Sequence, residues 1–254
     1  MLYLIAFIFG SIWGSFSNVC IHRIPDDICV VTGRSHCPSC KTLIKWHDNI
    51  PLFSYLFLKA KCRGCSAKIN IKYFLVELIS AINFVVIFHF FGVSLTTLLF
   101  FILSICFVII FFIDLKHFII PNELTYPLMI IGLLKSFDPN LNTTLFPNLV
   151  NSLIGGLFGY IIIWLIIFTY KKLRNKEGMG LGDAKLLSVI GFWFGWASIP
   201  FVIFFSSVIA LLSVVPDIIK NKKDLSSQIP FGPYLIIGNL VFLIFNEQIR
   251  LFLN

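Results

Sequence analysis

Two aspartates and four cysteines are the residues of this chain whose types and spacing can do chemistry. Asp183 lies in the run Gly178-Met179-Gly180-Leu181-Gly182-Asp183-Ala184-Lys185, between a basic loop (Lys171, Lys172, Arg174, Lys176) and an apolar run that begins at Leu186. A carboxylate behind three glycines, at the mouth of an apolar helix, asks for a partner. Asp114 answers, directly after the apolar run Ile109-Ile110-Phe111-Phe112-Ile113. Two carboxylates in one poorly solvated site cannot both ionise readily, so the pair holds one proton. The ionised member activates water while the protonated member polarises a scissile carbonyl. That is aspartic-protease chemistry, with no covalent intermediate. The glycines before Asp183 let an extended substrate backbone come close. Taken singly, Asp114 also reads as a solvated residue at the end of a membrane span and Asp183 as a helix N-cap.

Cys37-Pro38-Ser39-Cys40 and Cys62-Arg63-Gly64-Cys65 form two Cys-x-x-Cys pairs with 21 residues between them. Four thiolates at that spacing suit tetrahedral Zn²⁺ in a closed structural site, which leaves no open position for catalysis. The basic neighbours Lys41, Lys61 and Arg63 favour the thiolate form. Two unrelated reduced knuckles, or a redox couple, are the other readings of the same residues. Cys20, Cys29 and Cys106 read as apolar fillers.

These groups need elements to hold them, and composition says of what kind. The chain of 254 residues is 58% hydrophobic and 13% charged, whereas soluble domains run at about 45–50% apolar and about 25% charged. Mean hydropathy is +0.93. The fold class is an all-α polytopic membrane protein. At roughly 17–25 apolar residues per span, about eight transmembrane helices are predicted, near 2–21, 73–91, 95–113, 119–135, 148–170, 184–197, 199–216 and 231–246. The fourth and sixth are short. Met1 to Phe7 carry no basic n-region, so the first segment reads as a span and not as a cleaved address. Gly10, Gly14 and Ser15 give the first span a small-residue face, as Gly155, Gly156 and Gly159 do the fifth.

Orientation follows from Lys and Arg. If the 22–72 segment faces the cytoplasm and the spans alternate, only Lys135 and Arg250 of the 20 Lys and Arg fall on the far side. The N-terminus is then outside, and both aspartates are cytoplasmic. The net charge of +8 is thus a topology signal, and nucleic acid is excluded as a partner. Three parts follow: span 1–21, a small cytoplasmic four-Cys segment 22–72 that needs a metal in place of a large core, and a membrane portion 73–254. Glu77, just inside the second span, reads as an interfacial residue reaching water or as a functional one.

The ordered motifs resemble one family. Gly180-Leu181-Gly182-Asp183 is the GxGD signature of intramembrane-type aspartic proteases, and the longer run Gly178 to Lys185 resembles the form found in type IV prepilin peptidases. Gly14-Ser15-Phe16-Ser17-Asn18-Val19 with Arg23-Ile24-Pro25, then Arg34 to Cys40, Trp46 to Pro51, Ser54-Tyr55-Leu56 and Cys62 to Cys65 resemble the family's N-terminal and cytoplasmic motifs. Asp114 with Ile120-Pro121 is similar to its first catalytic motif, and Pro230-Phe231-Gly232-Pro233 to a C-terminal one. The resemblance implies a bifunctional enzyme of the bacterial cytoplasmic (inner) membrane. It cleaves the basic leader of type IV prepilins or pseudopilins after a glycine on the cytoplasmic side, then N-methylates the new N-terminus with S-adenosylmethionine. It implies Asp114 and Asp183 as the catalytic pair, with Gly178, Gly180, Gly182 and Lys185 supporting the loop, and associates the four-Cys segment with methylation. No stretch reads physically as a site for S-adenosylmethionine. Asn122 stands where the family often has Asp, and Ser17 where Leu is common. The Asn122 change bears on how Asp114 is hydrogen-bonded.

Three other readings fit part of the same residues. A cleavage-only GxGD protease lacks the use for the four-Cys segment. A presenilin-like protease has Tyr before its first aspartate, where Ile113 stands, and Pro-Ala-Leu in place of Pro-Phe-Gly-Pro. A carboxylate-coupled membrane transporter places its site near the bilayer midplane, whereas these aspartates are predicted at one edge.

Overall fold

The computed structural model describes residues 1–141, 145–174, 179–219, 229–246 and 248. Gly178 of the glycine motif lies outside them, as do Lys176, Lys220, Lys222, Lys223 and Arg250 of the charge split. Among the described residues the regular structure is helical, apart from two isolated bridges, His36 to Leu43 and Lys61 to Lys68.

Each predicted span has a helix. They are α1 (Leu2–Arg23), α3 (Ile71–Phe91), α4 (Leu95–His117), α5 (Asn122–Leu134), α6 (Leu149–Arg174), α7 (Leu181–Phe194), α8 (Ser198–Ile219) and α9 (Gly232–Ile244), and a short α2 (Phe53–Phe57) precedes α3. Among the described residues five helices are long and apolar enough to cross a bilayer: Leu2–Asp26, Ile71–Phe91, Leu95–His117, Leu149–Arg174 and Ser198–Val215. The other three, α5, α7 and α9, have 13, 14 and 13 residues. At 1.5 Å per residue they rise about 20 Å, against about 30 Å of hydrocarbon. The predicted eight spans are thus five full-length helices and three short ones. Apolar composition alone does not separate the two kinds.

Two compact units divide the chain, Met1–Ile109 and Ile110–Asn254. In the first, α1 and α3 run antiparallel with their backbones nearly touching. A Cβ at Gly10 would stand 2.8 Å from Phe84 Cβ, and one at Gly14 2.7 Å from Glu77 Cα. Near the ends of the pair, Asn18 Nδ2 donates to the Tyr73 carbonyl at 3.0 Å. The cysteine segment fills the connection between the two helices.

In the second unit α7 is the core. Ten of its residues are buried, as expected of a helix that is apolar all round. Gly155 and Gly159 of α6 let it approach at backbone distance: a Cβ at Gly191 would meet the Gly155 carbonyl oxygen at 2.1 Å, and one at Gly159 the Leu187 oxygen at 2.7 Å. Ser188 Oγ donates to Gly156 O at 2.8 Å, Ser152 Oγ to Phe192 O at 2.7 Å, and Trp193 Nε1 to Leu128 O of α5 at 2.8 Å. The small-residue face predicted for the fifth span is therefore the seat of α7. Asp183, on the first turn of this central helix, is placed by that packing.

Candidate active site

Helix α4 continues through His117, so Asp114 sits inside its last turn and not beyond its end. The chain then reverses. Phe118 takes φ +57° and donates its amide to the Asp114 carbonyl at 3.0 Å, and Ile120-Pro121 lead into α5, for which Pro121 is the N-cap. Ile120 is the wedge of the site. A Cβ at Gly182 would lie 3.0 Å from Ile120 Cβ, and one at Gly232 would lie 3.0 Å from Ile120 Cδ1. One side chain thereby gathers the ends of α4, α7 and α9. The sequence offered it only as a motif match.

Asp183 is the third residue of α7, and Gly180 is the N-cap, which overturns the N-cap reading of Asp183. Its amide donates to the Gly180 carbonyl at 3.2 Å. A carboxylate in the first turn faces the positive end of the helix. Both aspartates are withdrawn from water, with 4% of Asp114 and 8% of Asp183 exposed. They are near enough that the charge of Asp114 bears on Asp183. Asp114 Oδ2 accepts a hydrogen bond from the Gly232 amide at 3.0 Å. Gly232 opens α9, with Phe231 as N-cap and Pro233 behind it, and both Gly232 and Pro233 are buried. The Pro230–Pro233 motif thus supplies a backbone donor at a helix N-terminus to one carboxylate of the pair. Sequence reading had singled out the motif without a role.

Lys185 Nζ donates to Asn122 Oδ1 at 2.6 Å and lies 5.3 Å from the centre of the Tyr126 ring. Asn122 is therefore occupied with Lys185, and the donor to Asp114 is Gly232. This latch ties the start of α5 to the first turn of α7, two residues past Asp183.

The four cysteines of the first unit converge. Their Sγ atoms all lie within 4.8 Å of one another, with Cys37 to Cys65 and Cys40 to Cys62 at 3.9 Å. That is far beyond a disulfide and close to the edge of a tetrahedron of about 3.8 Å that a Zn–S distance of about 2.3 Å requires. The two knuckles repeat one backbone turn. Cys37 N donates to Thr42 O and Cys62 N to Ala67 O, each at 2.9 Å. Lys41 and Ser66, each directly after a second cysteine, take φ +60° and +57°. The Thr42 hydroxyl and amide hold the Cys40 thiol down, to about 6, and the amides of Cys65 and Gly64 hold Cys62 down. Against the pull of the Ala67 amide, hydrogen bonding to the sulfurs of Cys40, Cys62 and Cys37 pushes Cys65 up to about 11. The set can hold a metal ion, which would displace the shared proton. Arg63 clamps the second knuckle to Asp48 through a fork whose shortest contact, Nη2 to Oδ1, is 2.6 Å. Of the other cysteines, Cys20 is buried but Cys29 is exposed, so Cys29 is no filler.

Glu77, the seventh residue of α3, accepts from the Leu52 amide at 2.8 Å. It spends its carboxylate on the protein and stands in the other unit from the aspartates.

Comparison with known proteins decides the family. A model described as the bacterial peptidase A24 N-terminal domain matches residues 8–91, and one described as the type IV leader peptidase family matches residues 101–215. The chain is 35% identical to the prepilin leader peptidase/N-methyltransferase of Aeromonas hydrophila, over 96% of this chain and 91% of that one. The chain belongs to the type IV leader peptidase family. To the proteins of the same name from Pseudomonas aeruginosa and Neisseria gonorrhoeae it is 34% and 32% identical, over 94% and 96% of its length and 89% and 91% of theirs. No solved structure matches it. Within this leader peptidase family member, the match over residues 101–215 takes in both aspartates, and the match over 8–91 takes in the four cysteines and Glu77. Gly232 falls outside both. With five helices among the described residues fit to cross a bilayer, it is a multi-pass membrane protein.

Proposed function

We propose that the chain is a membrane aspartic endopeptidase that removes the leader of type IV prepilins or pseudopilins and then N-methylates the new N-terminus. The observation that carries this is the pair Asp114 and Asp183, two buried carboxylates on different helices within reach of each other's charge. Holding one proton between them, the pair does both halves of peptide hydrolysis. The ionised carboxylate takes a proton from water as the water oxygen attacks the scissile carbonyl carbon. The protonated carboxyl gives its proton to the carbonyl oxygen. On collapse of the tetrahedral intermediate the C–N bond breaks, and the amine leaves with a proton from the pair. Gly232 and Ile120 position Asp114, and Gly180, Gly182 and the Lys185–Asn122 latch position Asp183.

Cys37, Cys40, Cys62 and Cys65 would hold one Zn²⁺ as a structural clip, with no part in the hydrolysis. Methyl transfer, with S-adenosylmethionine as donor, rests on the relatives' shared name and on the four-Cys segment that the N-terminal match takes in. The charge split supports a bacterial cytoplasmic membrane location with the four-Cys segment and both aspartates on the cytoplasmic side.

The test is purified protein incubated with a prepilin, with and without S-adenosylmethionine, scored by product mass. The leader mass is lost in both arms and one methyl group is added only with the donor. Asp114→Asn and Asp183→Asn abolish cleavage while the protein stays folded and inserted. Full cleavage by either variant refutes the pair.

A further inference from the structure

Between Asp48 and Lys59 lie ten residues without a charge, Asn49-Ile50-Pro51-Leu52-Phe53-Ser54-Tyr55-Leu56-Phe57-Leu58. The sequence places them in the soluble 22–72 segment. The structure ties them to the membrane helices instead. The Leu52 amide donates to Glu77, which is six residues into α3 from Ile71. At 1.5 Å per residue, the Glu77 backbone lies about 9 Å along that helix from its start, and its side chain holds Leu52 against the first turns of α3. On the other flank the segment meets the outer face of α1. Leu52 and Phe53 line a groove of about 710 Å³ with Ile8, Ile12, Ser15 and Phe16, of which Ile8 and Ile12 are about half exposed, as lipid-facing residues of a span are.

The tip of this segment turns its apolar side chains outward. Phe53, Leu56 and Phe57 are 60%, 62% and 86% exposed, whereas Leu52 is 7% exposed. Its backbone, by contrast, turns to the protein. The amides of Ile50, Leu52, Phe53, Ser54, Leu56 and Leu58 donate to Ser54 Oγ, Glu77 Oε2, Pro51 O, Ile50 O, Leu52 O and Ser54 O. Leu52 is held at φ +63°, ψ −50°, a γ-turn that a bulky residue adopts under strain. Backbone amides bonded largely within the protein, outward apolar side chains and no charge are what hydrocarbon favours in a short segment built around the single turn of α2, and water demands none of them.

We infer that residues 50–58 form a re-entrant wedge seated in the lipid bilayer, with Glu77 as the acceptor that caps its one strained amide. Its occupant is the apolar region of the membrane, because its exposed face continues the lipid-facing side of α1. This gives a use to a carboxylate inside a membrane helix: it satisfies a backbone donor where no water does. It also fixes the level of the zinc knuckle, since three residues separate Leu58 from Cys62.

Full-length protein in phosphatidylethanolamine and phosphatidylglycerol vesicles tests the wedge. A photo-crosslinking benzoylphenylalanine replaces Phe57, or in separate samples Val31 or Phe90, and lipid adducts are scored by mass spectrometry. Val31 at 84% and Phe57 at 86% are equally exposed, and Phe90 at 73% is a residue of α3. The expected adduct yield at Phe57 resembles that at Phe90 and exceeds that at Val31 by about tenfold or more, since only a segment in the hydrocarbon meets acyl chains. Equal yields at Phe57 and Val31 overturn the wedge, as do protein–protein crosslinks at Phe57 in place of lipid ones. Glu77→Gln, which keeps an acceptor for Leu52, leaves the yield unchanged, and Glu77→Ala lowers it severalfold. An undiminished yield in Glu77→Ala overturns the capping role, and if that variant does not insert, the comparison of positions in the unaltered background still decides.

Discussion

Gly232→Ala adds one methyl group where α9 meets Asp114. The new Cβ would stand 2.7 Å from Asp114 Oδ2 and 3.0 Å from Ile120 Cδ1. Ile120 has little room to yield, because Gly182 lies against its other side. The carboxylate must therefore move, and with it goes the 3.0 Å hydrogen bond from the Gly232 amide. A hydrogen bond to a charged group contributes about 1.5–3 kcal/mol, which at about 1.4 kcal/mol per factor of ten predicts cleavage slowed roughly ten- to hundredfold. Gly180→Ala is the matched comparison. Gly180 already has φ −84°, and a Cβ there finds Gly182 N at 3.8 Å and Asp183 Oδ2 at 3.9 Å, ordinary contact distances. It should cost only the weaker capping of α7, about 1 kcal/mol or less, within roughly a factor of five in rate. Initial rates of prepilin cleavage by mass spectrometry, with thermal unfolding of each variant, give the answer. Gly232→Ala cleaving at the unaltered rate, or the two glycines costing the same, would refute the placement of Asp114 by α9.

Elemental analysis of intact protein should find about one zinc per chain, lost in Cys37→Ser or Cys62→Ser. Metal-free intact protein would reject the clip. Because the ligands bind as thiolates, zinc retention should fall as the pH falls, which a metal-sensitive dye can follow. Lys135→Met removes a buried amine that has no hydrogen-bond acceptor among the described residues while keeping most of the chain length, so thermal stability in detergent should hold or rise. Lys135→Ala should lose roughly 2–5 kcal/mol as a large-to-small core change does, and equal losses in both would show that the charge itself is needed. Asn122→Asp makes the Lys185 contact an ion pair, and as a part-exposed one it should add no more than about 1 kcal/mol, a gain that salt screens. A gain that persists in high salt would contradict the exposure of the latch.

How much of this was legible in the sequence depends on how local each feature is. The knuckles are local: each Cys-x-x-Cys carries its own turn, and the structure had only to bring two copies together. The aspartates are marked by what flanks them, an apolar run before Asp114 and glycines before Asp183. What meets them is not local. The donor to Asp114 is 118 residues away, at the head of α9, and no spacing rule reaches that far. Helix length within the predicted spans was less legible for a related reason. The α7 run is as apolar as a membrane span because α5, α6, α8 and α9 surround it, and composition records the absence of water without saying whether lipid or protein has replaced it. The same ambiguity hid residues 50–58, which read as soluble because the segment around them is basic. The bond from Leu52 to Glu77 and the groove shared with α1 are what tie them to the membrane helices.

Lys135 turns one such ambiguity into support for the proposed orientation. By sequence it was one of two basic residues on the wrong side of the membrane, a defect in an otherwise one-sided split. The structure leaves 5% of it exposed, with Nζ 4.3 Å from the centre of the Phe146 ring and 5.8 Å from that of Trp193. No hydrogen-bond partner accepts from that Nζ among the described residues, and what it faces are the two rings. The positive-inside rule counts charges in loops near the span ends. A lysine enclosed by aromatic rings is a different object, a core residue, and it does not belong in the count. Removing it leaves Arg250 as the sole exception, near the chain's end. The charge asymmetry behind the proposed cytoplasmic placement of both aspartates is then stronger than the sequence alone made it.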